Sequence, residues 1–247
     1  MSLKIVFMFF CLFVCCFTKN LPSYIERCSL SDPKLRDCLI RSIENAVPSI
    51  INGDKNYKIL SMVPVNIPFV EIQVGEGSKM KFIDTNFTCF KNMKIQDVDF
   101  DKQTGKFLLK YVEQKLDASS NYEMDIKLFG TNIKGNGPSF INFGNAFVTY
   151  TTYLKPFTDK NGLEHYKVDN GKVTFNPKEA TFDFQNLFDG NESLGGAMNR
   201  LFNENWKDLF GILQPTVENV LAGIMDNAFT NYLKCVVDIK EPKLPHT

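Results

Sequence analysis

Few residues of this chain have the types and spacing that catalysis requires. Asn191-Glu192-Ser193-Leu194-Gly195 approaches the Gly-x-Ser-x-Gly pattern of serine hydrolases, but Asn191 replaces the first glycine. A serine nucleophile also needs a base, and the only two histidines, His165 and His246, lie after a turn and near the C-terminus. We therefore interpret the segment as a helix N-terminus capped by Asn191 or Ser193, and we predict that the protein is not an enzyme.

Metal and phosphate motifs are similarly incomplete. Asp97-Val98-Asp99-Phe100-Asp101 resembles the start of an EF-hand loop, but Lys102 stands at the glycine position and Leu108 at the glutamate position. Gly75-Glu76-Gly77 lacks the third glycine of a phosphate-binding loop. Two histidines are too few for a histidine-rich metal site. We predict neither a metal site nor a cofactor.

The cysteines fall into two groups. Three lie within the first 18 residues, and the other four are Cys28, Cys38, Cys89 and Cys235. If the chain is exported, an even number of cysteines favours disulfides. Cys28 and Cys38 close a short loop, and we predict that they pair. Cys89 and Cys235 either pair with each other or stay buried and free.

The N-terminus has the pattern of a secretion signal. Met1 to Lys4 is short and positive, and Ile5 to Phe17 is a run of 13 apolar residues. A membrane span needs about 20 residues, so the run fits the hydrophobic region of a signal peptide. We predict a signal peptide at 1–18, a single mature domain at 19–247, and secretion. No second long apolar run follows, so the sequence predicts no integral membrane span.

Charge and short motifs limit the partners. The chain has 28 basic residues (Lys and Arg) and 28 acidic residues (Asp and Glu). This balance argues against nucleic acid or an anionic membrane surface as a partner. Asn86-Phe87-Thr88 and Asn191-Glu192-Ser193 are N-glycosylation sequons. In a secreted chain, Asn86 and Asn191 are therefore predicted glycosylation sites.

The middle of the chain alternates apolar and polar residues, which is typical of strands with one buried face. In the clearest stretch, Tyr122, Met124, Ile126 and Leu128 alternate with Glu123, Asp125 and Lys127. Turn signals occur at 102–105, 136–138, 159–162 and 169–171. These features predict an antiparallel meander.

Helical spacing frames this region on both sides. Asp32-Pro33 starts a short N-terminal helix that ends at Asn52-Gly53-Asp54. Apolar residues at i, i+3 and i+4 then run from Leu194 to Leu233, a continuous length of about 60 Å if Pro215 only kinks the helix. A helix this long can bury its apolar stripe only inside a long, curled sheet. The predicted fold class is therefore α+β, with a long kinked C-terminal helix wrapped by a strongly curved antiparallel sheet.

A tube lined by large apolar side chains and left partly unfilled would hold a long apolar ligand. The chain has 23 phenylalanines, which supports either a dense core or such a lining. Tyr150 and Tyr153 also carry hydroxyls that could bond an ester, epoxide or carboxyl group. The candidate ligand-binding residues, each of which could instead be plain core, are Met124, Leu128, Phe147, Tyr150, Tyr153, Phe182, Phe184, Met198, Phe202, Trp206, Phe210 and Leu213.

Three segments resemble a known family. They are CSLSDPKLRDCL (Cys28 to Leu39), LFGTNIKGNGP (Leu128 to Pro138) and the block from Phe182 to Pro215, in which NLFDG, AMN and LFNENW are the most specific pieces. Over residues 22–240 the chain resembles the insect takeout and haemolymph juvenile hormone binding proteins. The resemblance implies a tubular lipid-binding fold, location in haemolymph or a similar fluid, and a cavity for juvenile hormone, a terpenoid or a fatty-acyl chain.

That resemblance leaves two main functions open, because the scarcity of histidine disfavours a third, a hydrolase acting on such ligands. The first is a secreted carrier that binds a small hydrophobic ligand in an internal apolar tunnel. The alternative is a lipid-filled extracellular signalling protein that acts with a cell-surface receptor in feeding, chemosensation or circadian output.

Overall fold

A computed structural model describes residues 22–29, 31–55, 61–75, 77–158 and 164–235. The predicted signal peptide and the predicted turn at 159–162 lie outside the described residues. The elements, in chain order, are α1 Leu35–Asn52, β1 Val65–Gln73, β2 Lys79–Thr88, β3 Met93–Asp101, β4 Lys106–Leu128, β5 Thr131–Thr158, β6 Glu164–Asn176, β7 Glu179–Phe184, α2 Glu192–Glu204 and α3 Trp206–Cys235. No helix in these ranges is both long and apolar enough to cross a membrane.

Helix α1 begins at Leu35, two residues after Pro33, where the sequence predicted its start. The Asp32 carboxylate accepts a hydrogen bond from the Lys34 N–H (2.8 Å), so it closes the turn that precedes the helix. The predicted disulfide between Cys28 and Cys38 is present and ties this turn to the first turn of α1. On the outside, Arg36 forms an ion pair with Asp97 of β3 (2.8 Å). These bonds hold the start of α1 against the sheet.

Seven strands form one antiparallel sheet in which β4 and β5 are unusually long, at 23 and 28 residues. Each of them pairs with two shorter strands placed end to end. β3 and β2 follow one another along β4, and β6 and β7 follow one another along β5. The alternation predicted at residues 122–127 is confirmed, with Tyr122, Met124 and Ile126 buried. This layout makes the long inner face that a tube requires.

Two predicted turns are wrong. Residues 136–138 lie inside β5, where Gly137 pairs with Tyr122 of β4. Residues 169–171 lie inside β6, next to a register shift in its pairing with β5. Gly171 adjoins this register shift, and Gly137 has a φ of 147° within an unbroken pairing. Glycine accommodates both situations inside a strand, so neither glycine marks a chain reversal. The predicted turn at 102–105 is confirmed between β3 and β4.

The C-terminal helical stretch is divided at Asn205, whereas the sequence placed its interruption at Pro215. Asn205 has non-helical backbone angles, and both its N–H and its side-chain amide donate to the Leu201 carbonyl. Its own carbonyl then accepts from Asp208 and Leu209, which starts α3. A single asparagine therefore ends one helix and begins the next. Pro215 lies further along, within α3.

Helix α3 lies inside the curl of the sheet. It contacts β1 at one end of the strand order and β6 at the other, which is possible only if the sheet wraps around it. Glu218 of α3 accepts hydrogen bonds from the backbone N–H of Phe175 (3.0 Å) and from Gln214 (2.9 Å), so it fixes the helix to β6. The predicted fold class, a long helical rod wrapped by a curved antiparallel sheet, is confirmed.

Helix α2 closes the free edge of β7 with two asparagines. Asn203 accepts from the Phe182 N–H and donates to the Phe182 carbonyl, both at 2.8 Å. One turn earlier, Asn199 makes the same pair of bonds with Phe184, at 3.0 and 2.9 Å. These two amides are the asparagines of the AMN and LFNENW pieces, so the most specific sequence motif has a defined structural role.

Candidate functional site

Among the described residues, an apolar cavity lies between α1, the sheet and the C-terminal part of α3. We call it the α1 cavity, and its volume is about 120 Å³. Its wall comprises Ser42, Ile43, Ala46, Val47, Ile50, Ile51, Met62, Phe90, Met93, Leu109, Met225, Ala228 and Phe229. The hydroxyl of Ser42 donates to the Glu26 carbonyl (2.9 Å), so this polar group is already bonded. The cavity therefore suits an apolar group.

A second cavity, the middle cavity, lies between the sheet and the centre of α3. Its volume is about 50 Å³. Its wall comprises Val70, Ile72, Phe82, Thr85, Phe87, Ala118, Ser120, Ile141, Phe143, Leu213, Thr216, Val217 and Val220. Both cavities run along one helix, so together they follow the axis of the tube.

A buried partition separates the two cavities. Along β4, Leu109 belongs to the α1 cavity and Ala118 to the middle cavity, and the inward-facing Tyr111, Glu113 and Leu116 lie between them. The Tyr111 hydroxyl contacts Met225 Sδ of α3 at 3.7 Å. These buried side chains therefore lie between the two cavities along β4.

Glu113 is the ionisable member of this partition and is 1% exposed. Its Oε2 accepts a hydrogen bond from the Phe90 N–H (2.7 Å), and within the described chain its Oε1 has no partner. Burial raises the pKa of the Glu113 carboxyl to about 7. The free thiol of Cys89 is also buried, and burial followed by the proximity of Glu113 raises its pKa. Of the two alternatives for Cys89, the structure has the buried, free thiol.

Most of the predicted ligand-binding residues are buried, but they pack against one another. Phe202 and Phe184 have ring centroids 5.5 Å apart, and Phe182 and Phe184 are 6.4 Å apart. Leu128 and Trp206 are half-buried, and the fully buried candidates are Met124, Tyr150, Phe182, Phe184, Met198, Phe202, Phe210 and Leu213. Of the twelve candidates, Leu213 alone belongs to a described cavity wall. A ligand role for the others stays a prediction.

Phe147 and Tyr153 point outward, contrary to their assignment to the interior. They are 49% and 38% exposed. The buried side of β5 changes at Asn145, which has a positive φ of 49°. Before it, odd-numbered residues such as Phe143 face inward, and after it even-numbered ones such as Tyr150 do. An inward pattern extrapolated through Asn145 therefore places Phe147 on the wrong face.

Tyr150 faces inward, but its hydroxyl already has a partner. It donates to Asp226 Oδ1 of α3 at 2.6 Å. Burial, followed by this carboxylate, raises the pKa of Tyr150 well above its ordinary value. The hydroxyl that was expected to meet a ligand thus joins β5 to the central helix.

Sequence reasoning missed the contribution of α1. Six residues of this helix form nearly half of the α1 cavity wall. The available signal was the spacing of four residues between Ile43 and Val47, which is typical of one face of an amphipathic helix. That signal could not show which part of the interior the stripe covers.

The two sequons differ in their surroundings. Asn86 is half-buried on β2, its Oδ1 accepts from Asn66 (3.1 Å) and its Nδ2 donates to the Asp84 carbonyl (3.3 Å). Asn191 is exposed, and its Oδ1 caps α2 by accepting from the Leu194 N–H (3.0 Å), as predicted. Glycosylation of both asparagines stays a prediction.

A curled antiparallel sheet around a long helix, with apolar space beside that helix, defines the class of tubular lipid-binding folds. The family model described as haemolymph juvenile hormone binding protein matches residues 6–236, and the chain belongs to this family. The predicted takeout-type resemblance is thereby confirmed.

Individual relatives are distant in sequence. The chain is 22% identical to the circadian clock-controlled protein daywake of Drosophila yakuba over 211 residues, which is 81% of this chain and 80% of the relative. The Drosophila melanogaster protein of the same name is 22% identical over 216 residues, covering 83% and 82%. The crystal structure of Epiphyas postvittana Takeout 1 superposes with a TM-score of 0.78 at 20% identity, covering 86% of this chain and 97% of that one. This last likeness establishes the fold.

Proposed function

We propose that the protein is a secreted carrier that holds a small hydrophobic ligand in the apolar space beside α3. The observation that carries the proposal is the α1 cavity, whose volume of about 120 Å³ is lined almost entirely by apolar side chains. A single water needs only about 10–15 Å³ of such space. Empty space of this kind costs packing energy, so a ligand that fills it gains dispersion and hydrophobic energy.

The ligand class follows from the wall. Thioether and aromatic groups such as Met62, Met225 and Phe229 fit irregular aliphatic chains, and no charged side chain belongs to the described wall. The family description names juvenile hormone, which makes a terpenoid ester the first ligand to test. A fatty-acyl chain has matching chemistry.

Secretion is part of the proposal. The signal-like N-terminus, the Cys28–Cys38 disulfide and the two sequons are consistent with an oxidising, extracellular compartment. Such a carrier needs no catalytic group, and the sequence does not pair either of the two histidines with a serine nucleophile.

Native mass spectrometry of protein purified from a secreting insect cell line tests the carrier function. We expect a retained small apolar molecule that exchanges for added juvenile hormone or fatty acid. A protein that retains nothing, and binds neither compound in a fluorescence displacement assay, would overturn the proposal.

The alternative is a lipid-filled signalling protein, which is favoured by the relatives described as circadian clock-controlled. In that case the molecule would hold its lipid permanently and bind a receptor through its outer surface. The same experiment separates the two functions, because a retained lipid that fails to exchange supports the alternative.

A further inference from the structure

Thr85 is brought into the middle cavity by an irregularity in β2. The pairing of β2 with β4 shifts register between Ile83 and Asn86, and Asp84 has a positive φ of 53°. Before the shift Phe82 faces inward, and after it Thr85 does. A β-bulge is a way to re-aim a side chain, and here it points a polar residue into an apolar cavity.

The hydroxyl of Thr85 is buried without a partner. The residue is 4% exposed, and among the described residues its Oγ1 has no hydrogen-bond partner. Leaving such a group unbonded is unfavourable, so an orphaned buried hydroxyl in a folded protein calls for an explanation. Packing alone does not supply one, because valine has the same shape without the hydroxyl.

The other hydroxyl on this side of the cavity is already used. Ser120 Oγ lies 2.8 Å from Ser139 Oγ, in a hydrogen bond between β4 and β5. The sheet side of the wall is otherwise apolar, with side chains such as Phe87 and Ile141. A ligand atom in the middle cavity would therefore find one free hydrogen-bonding group on the sheet, at a fixed position.

We propose that the middle cavity is a subsite for an oxygen-bearing group of the ligand, with the Thr85 hydroxyl as its hydrogen-bond partner. The group would be an ester, ketone or hydroxyl on an otherwise apolar chain. This inference rests on the proposed carrier function, and it adds that the protein distinguishes oxygenated lipids from hydrocarbons. A group that is unbonded in the empty protein gains its bond only on binding, so it contributes to selectivity.

Competition binding with a matched pair of probes tests the subsite. The probes are a medium-chain fatty acid methyl ester and the straight alkane of equal length, each displacing a fluorescent lipid from the full-length secreted protein. The variants are Thr85→Val, which removes the hydroxyl, and Thr85→Ser, which keeps it. Thr152→Val is the matched control, because Thr152 is equally buried but its hydroxyl donates to the Asp169 carbonyl (3.1 Å).

We expect Thr85→Val to bind the ester roughly threefold to tenfold more weakly and the alkane unchanged. Thr85→Ser should keep the preference of the unmodified protein for the ester. In ligand-free protein, Thr85→Val should leave the denaturant midpoint unchanged or raised, whereas Thr152→Val should lower it.

Three results would overturn the subsite. One is equal ester binding by the unmodified protein and Thr85→Val. Another is a lower midpoint for ligand-free Thr85→Val, which would show that the hydroxyl has a structural partner. If the unmodified protein binds neither probe, the subsite fails, and displacement by juvenile hormone or fatty acid then decides the carrier function separately. Ester binding that ignores Thr85 also overturns the subsite but leaves the carrier function standing.

Discussion

Tyr150 on β5 donates a hydrogen bond of 2.6 Å to Asp226 on α3, and this bond ties the longest strand to the helix it surrounds. Asp226 is only partly exposed, so without the Tyr150 hydroxyl its carboxylate would lose a hydrogen bond that water replaces only in part. We expect Tyr150→Phe to lower the free energy of unfolding by about 1–2 kcal/mol. Urea denaturation measures the change. Tyr153→Phe, on the exposed face of the same strand, is the control and should change stability by less than about 0.5 kcal/mol.

A second substitution should act through the same bond. A Cβ at Gly171 of β6 would overlap the Asp226 carboxylate, so Gly171→Ala must displace it from Tyr150. We expect Gly171→Ala to be destabilising and the double variant with Tyr150→Phe to lose less than the sum of the two. A double-mutant cycle measures this coupling. Additive losses would mean that the alanine is accommodated without moving Asp226.

Phe202 and Trp206 should differ in what they contribute to stability. Phe202 is fully buried, and Phe202→Ala should cost about 3–5 kcal/mol. Trp206 is half-buried beside Lys207, whose ammonium lies 5.7 Å from the ring centre, so Trp206→Ala should cost about 1–2 kcal/mol. Denaturant midpoints of both variants test the order. A larger loss for Trp206→Ala would contradict the orientation of α3 at its first turn.

Glu113 should make the stability fall as the pH rises. The ordinary pKa of 4.5 is raised to about 7 in the folded protein, so between these values the folded state binds more protons than the unfolded chain. The contribution of Glu113 to the free energy of unfolding is fully present below pH 4.5. It is lost as the pH rises through 7, a change on the order of 3 kcal/mol.

Glu113→Gln isolates this effect, because the amide keeps an acceptor for the Phe90 N–H but does not titrate. We expect the stability difference between the two proteins to vary across pH 4.5 to 8 in urea titrations. Parallel pH profiles would show that Glu113 titrates normally.

Filling the α1 cavity should prevent binding while the fold is retained. Ala228 of α3 belongs to the cavity wall, and Ala228→Leu would place a larger apolar group in the empty space. We expect at least a tenfold loss of ligand affinity, which corresponds to about 1.4 kcal/mol, with an unchanged or higher melting temperature. Ala197→Leu, at an exposed position of α2, is the matched control. Undiminished binding by Ala228→Leu would place the ligand elsewhere.

The fold could be predicted largely because its signals are local. The alternation at Tyr122 to Ile126, the helical stripe from Leu194 and the short loop between Cys28 and Cys38 each specify an element or a bond without reference to distant residues. The family resemblance then supplied how those elements assemble.

The walls of the site could not be predicted, because they depend on small irregularities and distant contacts. A switch of the buried face at Asn145 turned Phe147 outward, and the shift near Asp84 turned Thr85 inward. Neither residue type signals a bulge, since asparagine and aspartate also occur in ordinary strands and turns. Glu113 was missed because a lone glutamate in an alternating stretch is usually solvated.

The pair of asparagines on α2 has a consequence for how the molecule behaves at high concentration. An unpaired strand edge is a template onto which another copy can add its own strand, which leads to aggregation. At the edge of β7, the backbone N–H and carbonyl groups of Phe182 and Phe184 are bonded by the side-chain amides of Asn203 and Asn199. These groups are therefore not available to pair with another strand. A second molecule would have to displace both amides before it could add a strand to this end of the sheet.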